Sequence, residues 1–268
     1  MKFQLKALVA ALALSAATLP AQAAMQTPTA SGNSSMILTL LDFSNNVSAT
    51  FDLGYTYSEF NSLVTAANSN GGAFSWDITG GDYAAAWAGF SDIANLSTTK
   101  WAIFAGDNTG TGAGDRGMIT TYKSGANQTN SNALQNAIVG AHNYMNSNNS
   151  QGNHGSVDDG ASFVNSNTAA SYAGRAGAYG STGRLNASGH VSMDLLGSSM
   201  TLVQQEIGAT AASRPSFDIL AGANGSYTFS MDNAGKLTFL SPVPEADSYA
   251  MLLAGLGVVG LVARRRKA

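Results

Sequence analysis

Met36-Ile37-Leu38-Thr39-Leu40-Leu41-Asp42-Phe43 runs into Ser44-Asn45-Asn46 and then into Val47-Ser48-Ala49-Thr50-Phe51-Asp52-Leu53-Gly54. The first segment is strongly apolar. In the second, Val47, Ala49 and Phe51 alternate with polar residues, which is the period-2 pattern of a strand. The Ser-Asn-Asn between them is a turn signal, so the pair predicts an antiparallel β-hairpin. The surest hairpin lies near the other end of the chain, where 227–231 and 236–240 flank Asp232-Asn233-Ala234-Gly235.

Further strands are expected at 73–78, with Phe74, Trp76 and Ile78 on one side, and at 100–105 and 117–122 across a Gly-rich turn. Late candidates are 190–195, 200–207 and 217–220. Helical spacing places Phe60, Leu63, Val64 and Ala67 on one face of a helix over 58–67, with Ser58 as N-cap. Asp82 is expected to cap a short helix over 83–90. The clearest helix covers 131–145, where Leu134, Ile138, Ala141 and Met145 form a stripe. A polar loop comes next at 146–155, then a weaker helix over 159–172. The pattern predicts an α+β fold: an antiparallel sheet or sandwich formed from both ends of the mature chain, with two or three inserted helices.

The termini read differently. Lys2 and Lys6 precede an apolar stretch over 7–19, then Pro20 and Ala21-Gln22-Ala23. A basic start, a short apolar segment and an A-x-A site are the parts of a secretory signal peptide, with cleavage expected after Ala23 or Ala24. At the other end, Pro244-Glu245-Ala246 and Asp247-Ser248 lead into an uncharged run over 249–263, closed by Arg264-Arg265-Arg266-Lys267. As a helix that run would cover roughly 22 Å of a hydrocarbon layer about 30 Å thick, a marginal transmembrane span that needs arginines snorkelling to the headgroups. The expected division is a signal peptide at 1–23, an extracytoplasmic domain at 24–242 and a tail at 243–268 with a transmembrane helix at 249–263.

At Pro244, Glu245, Ala246 and Arg264, Arg265, Arg266, Lys267 the tail resembles the bacterial PEP-CTERM sorting signal: a Pro-Glu-Pro tripeptide, a transmembrane helix and an Arg-rich end. Ala246 stands where the second Pro is usual. The resemblance implies recognition and cleavage by an exosortase, a membrane-embedded protease, with transient residence in the inner membrane. It also implies an association with exopolysaccharide and biofilm at the cell surface. The opening hairpin ending in Asp-Leu-Gly and the closing hairpin resemble an uncharacterised group of PEP-CTERM ectodomains, which brings no activity with it.

Composition narrows the partners. The 268 residues carry 13 Lys and Arg against 16 Asp and Glu. Six of those cations lie in the two terminal segments and two of the acids in the tail, so seven cations face 14 acids in between, near −7. That balance argues against nucleic acid. Cysteine is absent, so a thiol nucleophile is excluded.

Several constellations have the residue types for chemistry. Gly112-Ala113-Gly114-Asp115-Arg116-Gly117 formally fits G-x-G-x-x-G, but Met118-Ile119-Thr120-Thr121-Tyr122 stands where a dinucleotide site needs a helix, so the loop reads as a hairpin connection. Asp107 to Asp115 offers oxygen atoms without the EF-hand pattern and reads as a solvated turn. Among the three histidines, His142, His154 and His190, the first reads as a half-buried helix residue. His154, Asp158 and Asp159 are the nearest approach to a metal or acid–base cluster, with an Asp as helix N-cap as the plainer alternative. Gly174, Gly177, Gly180 and Gly183 read as a loop. Trp76, Tyr83, Trp87 and Trp101 offer sugar-stacking faces but belong more naturally to a core. Asn46, Asn95, Asn127, Asn148, Asn186 and Asn224 begin N-x-[ST] triplets.

No catalytic residue, metal or cofactor is assigned. The expectation is a non-enzymatic exported protein, structural or adhesive at the surface or in the exopolysaccharide matrix. The alternatives are a secreted carbohydrate-active hydrolase and a sugar-binding module.

Overall fold

The structure is a computed structural model that describes residues 24–123, 130–175, 192–243 and 253–256. The opening pair forms as expected: β1 (Ser35–Asp42) runs antiparallel to β2 (Val47–Thr56), with Asp42 opposite Val47. Asp42 holds the turn. Its carboxylate accepts from the Ser44 N–H (2.9 Å), the Asn45 side-chain amide (2.6 Å) and the distant Asn95 N–H (2.8 Å). Asn46 supplies the left-handed residue, with φ 54°.

The other strands are β3 (Ala73–Asp77), β4 (Lys100–Asp107), β5 (Gly117–Tyr122), β6 (Ala161–Val164), β7 (Asp194–Leu195), β8 (Ser199–Glu206), β9 (Asp218–Ile219), β10 (Ala221–Gly222), β11 (Gly225–Ser226), β12 (Thr228–Met231) and β13 (Lys236–Leu240). β10 and β11 make a small separate ribbon. The rest form one antiparallel sheet in the order β3-β13-β12-β8-β5-β4-β1-β2-β6, with β7 beside β4 and β9 beside β8. Strands from both ends of the domain thus share one sheet, bent into a half-barrel rather than split into a sandwich. Trp76 on the β3 edge reaches across the bend and donates its indole N–H to the Leu53 carbonyl of β2 (3.0 Å).

Among the described residues, three helices of at least two turns cover the sheet, α1 (Phe60–Ser69), α2 (Ala84–Ser91) and α3 (Ser131–Asn148), beside a single helical turn at Pro28–Ser31. The inside of the bend holds a core of Met36, Leu38 and Leu40 of β1, Val47 and Phe51 of β2, Phe229 and Phe239, closed by Phe60 and Leu63 of α1 and Phe90 of α2. On the outside, Ile37, Leu41, Phe104 and Met118 pack under Leu134, Ile138, Ala141 and Met145 of α3. The stripe visible in the sequence is therefore the buried face of α3. Central strands are consequently buried on both faces: all of β1 and the first seven residues of β2.

Several expectations need correction. The helix over 159–172 is replaced by β6, which pairs with β2 from Ser48–Val164 to Phe51–Ala161. The unpaired backbone groups of β2 outweigh local helix propensity there. Thr56, not Ser58, opens the first helical turn, through a capping box with Glu59. Asp82 sits inside a 3₁₀ turn (Gly81–Tyr83) and its side chain caps neither that turn nor α2. Of 190–195 only β7 is a described strand; His190 lies outside the described residues. The expected transmembrane helix over 249–263 also lies largely outside them. Residues 253–256 are helical with Leu253 and Leu256 exposed, and no helix among the described residues is long and apolar enough to cross a membrane.

Candidate functional site

The loop after α3 decides what becomes of His154, Asp158 and Asp159. Asn153 ties it in place: its side-chain amide donates to the Asp82 carbonyl (2.8 Å) and its side-chain oxygen accepts the Ala161 N–H (2.6 Å). The Asp52 N–H donates to the Gly160 carbonyl (2.9 Å). The loop is thereby pressed onto the far half of β2 and the start of α2. Asp159 arrives above Gly54, whose φ of +71° suits glycine and where a Cβ would stand 2.9 Å from the Asp159 carboxylate oxygen.

This brings four carboxylates, Asp52, Asp82, Asp158 and Asp159, into electrostatic contact. In the sequence Asp52 looks like no more than the start of a turn, yet it is the most perturbed of them. It is 4 % exposed. Burial pushes its pKa up to about 7; hydrogen bonds from the Ser35 hydroxyl and the Gly54 N–H oppose the rise, and Asp159 and Asp158 add to it. Burial, with Asp158 and Asp82, also raises Asp159. Tyr83 closes the site, donating its hydroxyl to the Asp52 carbonyl (2.5 Å), and burial raises its pKa. Chemically, Asp52 is a carboxyl able to carry a proton near neutrality beside a more accessible carboxylate, Asp159. A sequence signal for Asp52 did exist: a lone acid at a buried-strand position, with glycine two residues on.

His154 does not join them. It is fully buried and its Nε2 lies 3.2 Å from the Ser162 hydroxyl, which donates to the Asn148 side-chain oxygen (2.8 Å). The Asn148 amide donates to the Tyr144 and Ser171 carbonyls (3.0 and 3.2 Å), and Tyr144 is hydrogen-bonded to the Thr50 hydroxyl. Burial drives the His154 pKa down to about 4, partly offset by the Thr50 backbone, so the ring is neutral. Ser48, Thr50 and Ser162 face α3 as a polar layer within the core, which alternation alone would have assigned to solvent.

The remaining candidates resolve into structure. The 107–117 loop joins β4 to β5 as a hairpin. Asp107 accepts from the Thr109 N–H and hydroxyl (2.7 Å each), and Asp115 from the Thr111 and Gly112 N–H groups (2.9 and 2.5 Å). One oxygen of each carboxylate is thus engaged by the loop itself. No group of three potential metal ligands occurs among the described residues. Trp101 is fully buried and Trp76 9 % exposed, while Tyr83 and Trp87 are half-buried and pack against the same core. His142 is half-buried on α3, as expected. Asn148 is buried and closed to glycosylation, while Asn127, Asn186, Gly177, Gly180 and Gly183 lie outside the described residues.

After β13, Ser241 donates its N–H to the Gly72 carbonyl (2.8 Å) and its hydroxyl to the Asn68 side chain (2.7 Å). The tail begins immediately beyond it. Residues 242–267 match the PEP-CTERM protein-sorting motif. The chain thus carries the signal of an exported protein sorted by an exosortase, a membrane protein. No curated protein and no solved structure matches the chain. The motif residues Pro244, Glu245, Ala246, Arg264, Arg265, Arg266 and Lys267 lie outside the described residues, as do Ala21 and Ala23 of the expected signal peptide. One residue, Ser241, separates the end of β13 from the start of the motif.

Proposed function

We propose that the protein is a structural or adhesive component of the cell surface and its exopolysaccharide matrix, delivered by its C-terminal motif and without catalytic turnover of its own. The PEP-CTERM match at 242–267 carries this reading, because it commits the chain to export and exosortase sorting. Composition supports it: charged residues make up 11 % of the chain, so uncharged polar groups provide most of the contact with water. Replacing Arg264, Arg265, Arg266 and Lys267 with glutamines is expected to impair processing, leaving precursor of higher mass and less protein in the surface and matrix fractions. Unchanged mature mass and unchanged fractionation in that variant would overturn the reading.

A second reading, a carbohydrate-active hydrolase, draws on one observation: the protonatable Asp52 beside Asp159. Glycoside hydrolysis uses one carboxyl as acid and a second carboxylate as base or nucleophile. Reducing-end release from a panel of polysaccharides, abolished in both Asp52→Asn and Asp159→Asn, would establish it in place of the structural role.

A further inference from the structure

The tail leaves the body through a patch that three segments build together. Beyond β13, Ser241 is pinned to the turn after α1 by its bonds to Gly72 and Asn68. Pro242 lies against the β10–β11 ribbon: the Asn224 side-chain amide donates to its carbonyl (3.4 Å), and a Cβ on Gly225 would stand 3.5 Å from its ring. Val243 packs over Gly72, where an added Cβ would be 3.0 Å from its side chain. The first two residues of the sorting motif are therefore seated on the body rather than trailing from it.

This patch is uncharged. No Asp, Glu, Lys or Arg occurs in 60–76, 219–231 or 237–243, the stretches that meet there. Its exposed residues include Ser69, Asn70, Ala73, Ala223, Asn224 and Leu240, the last 40 % exposed. The far end of the β12–β13 hairpin is different, with Asp232 in the turn and Lys236 opposite Asp77. The tether beyond the patch is short. Only residues 244–248 separate Val243 from the uncharged run at 249–263. Fully extended, they let that run begin at most roughly 22 Å away. The polar zone of one leaflet takes up roughly 5–8 Å of that reach.

We infer that this uncharged patch is the surface by which the body lies against the lipid headgroups while the tail is held in the membrane. The inference rests on the reading of the tail as a membrane-held sorting signal, and adds which face of the body meets the bilayer. An anionic headgroup surface repels a body whose balance is near −7. That repulsion decays over about 10 Å at moderate salt, so the favoured orientation turns charge-free surface toward the lipid. Leu240 gives up water there at no cost, and the amides of Asn70 and Asn224 exchange water for headgroup partners without stranding a charge.

The chain has no cysteine, so one introduced thiol carries one dye. The full chain with Asn70→Cys, Asn224→Cys or Asn233→Cys is labelled with an environment-sensitive fluorophore. Each is reconstituted into phosphatidylethanolamine–phosphatidylglycerol vesicles containing a lipid with a nitroxide on its headgroup. Dyes at 70 and 224 should be quenched and blue-shifted, and the dye at 233, at the far end of the hairpin, should be neither. Adding Ser69→Asp and Ala223→Asp to the Asn70→Cys chain should abolish most of its quenching, whereas Ser69→Asn with Ala223→Asn should preserve it. Flotation with the vesicles reads the tail separately and should be lost on removing 244–268. A chain that does not float, or floats as well without 244–268, removes the tail reading and this inference with it. Tail-dependent flotation with equal quenching at all three positions, or with none at 70 and 224, overturns this inference alone; the second result would leave the patch to the protease instead of the lipid.

Discussion

Asp52, at 4 % exposure, and His154, fully enclosed, both favour their neutral forms in the folded protein. The consequences for stability have opposite signs. Between pH 3.8 and about 7 the folded chain holds a proton on Asp52 that the unfolded chain has released, so this group lowers stability as pH rises, by up to about 4 kcal/mol. Between about 4 and 6.5 the unfolded chain protonates His154 while the folded chain does not, so this group lowers stability as pH falls, by about 3 kcal/mol. The two slopes oppose each other over the shared window. Asp52→Asn should expose the histidine slope, leaving a protein markedly less stable at pH 4.5 than at pH 7. His154→Gln should do the reverse. Urea midpoints at the two pH values check both, and parallel behaviour of the two variants would contradict the assignment. The polar layer around His154 was not legible locally: a strand written with alternating Ser and Thr looks half-wet until Tyr144 of α3 arrives to hydrogen-bond Thr50.

Among the elements, β6 owes most to its surroundings. Its sequence suits a helix as well as a strand, and the choice is made by the β2 edge on one side and by Gly152 on the other. Gly152 has φ +56°, and a Cβ there would stand 2.0 Å from the Ala161 carbonyl oxygen. Gly152→Ala should therefore push β6 off β2, at about 2–4 kcal/mol. Gly71 is the control, with φ +74° and nothing within 4 Å of an added Cβ, so Gly71→Ala should cost only about 1 kcal/mol of backbone strain. Denaturant melts of the two variants give the comparison. The α3 helix is the opposite case. Its stripe was readable because a long amphipathic helix keeps its period wherever it packs, and Asn130 caps it through the Ala133 N–H (2.9 Å).

At the scale of the molecule, two cores share one sheet, so neither should melt alone. All three tryptophans belong to or pack against the inner core, and none to the core under α3. Leu134→Ala, in the α3 core, should nevertheless lower the unfolding free energy read from tryptophan fluorescence by about 2–5 kcal/mol, in a single transition that coincides with far-UV circular dichroism. A separate early transition without a tryptophan signal would show the cores to be independent. By itself the sequence determined the hairpins, the α3 stripe, the β4–β5 connection and the sorting tail, because each is written in contiguous residues whose periodicity, turn chemistry or order is local. Only the tertiary structure decided that the sheet closes into a half-barrel, that 161–164 is a strand, and that Asp52 is enclosed while Asp159 lies above Gly54. Those outcomes rest on contacts between residues tens to more than a hundred positions apart, where burial and hydrogen-bond satisfaction override what any short segment prefers.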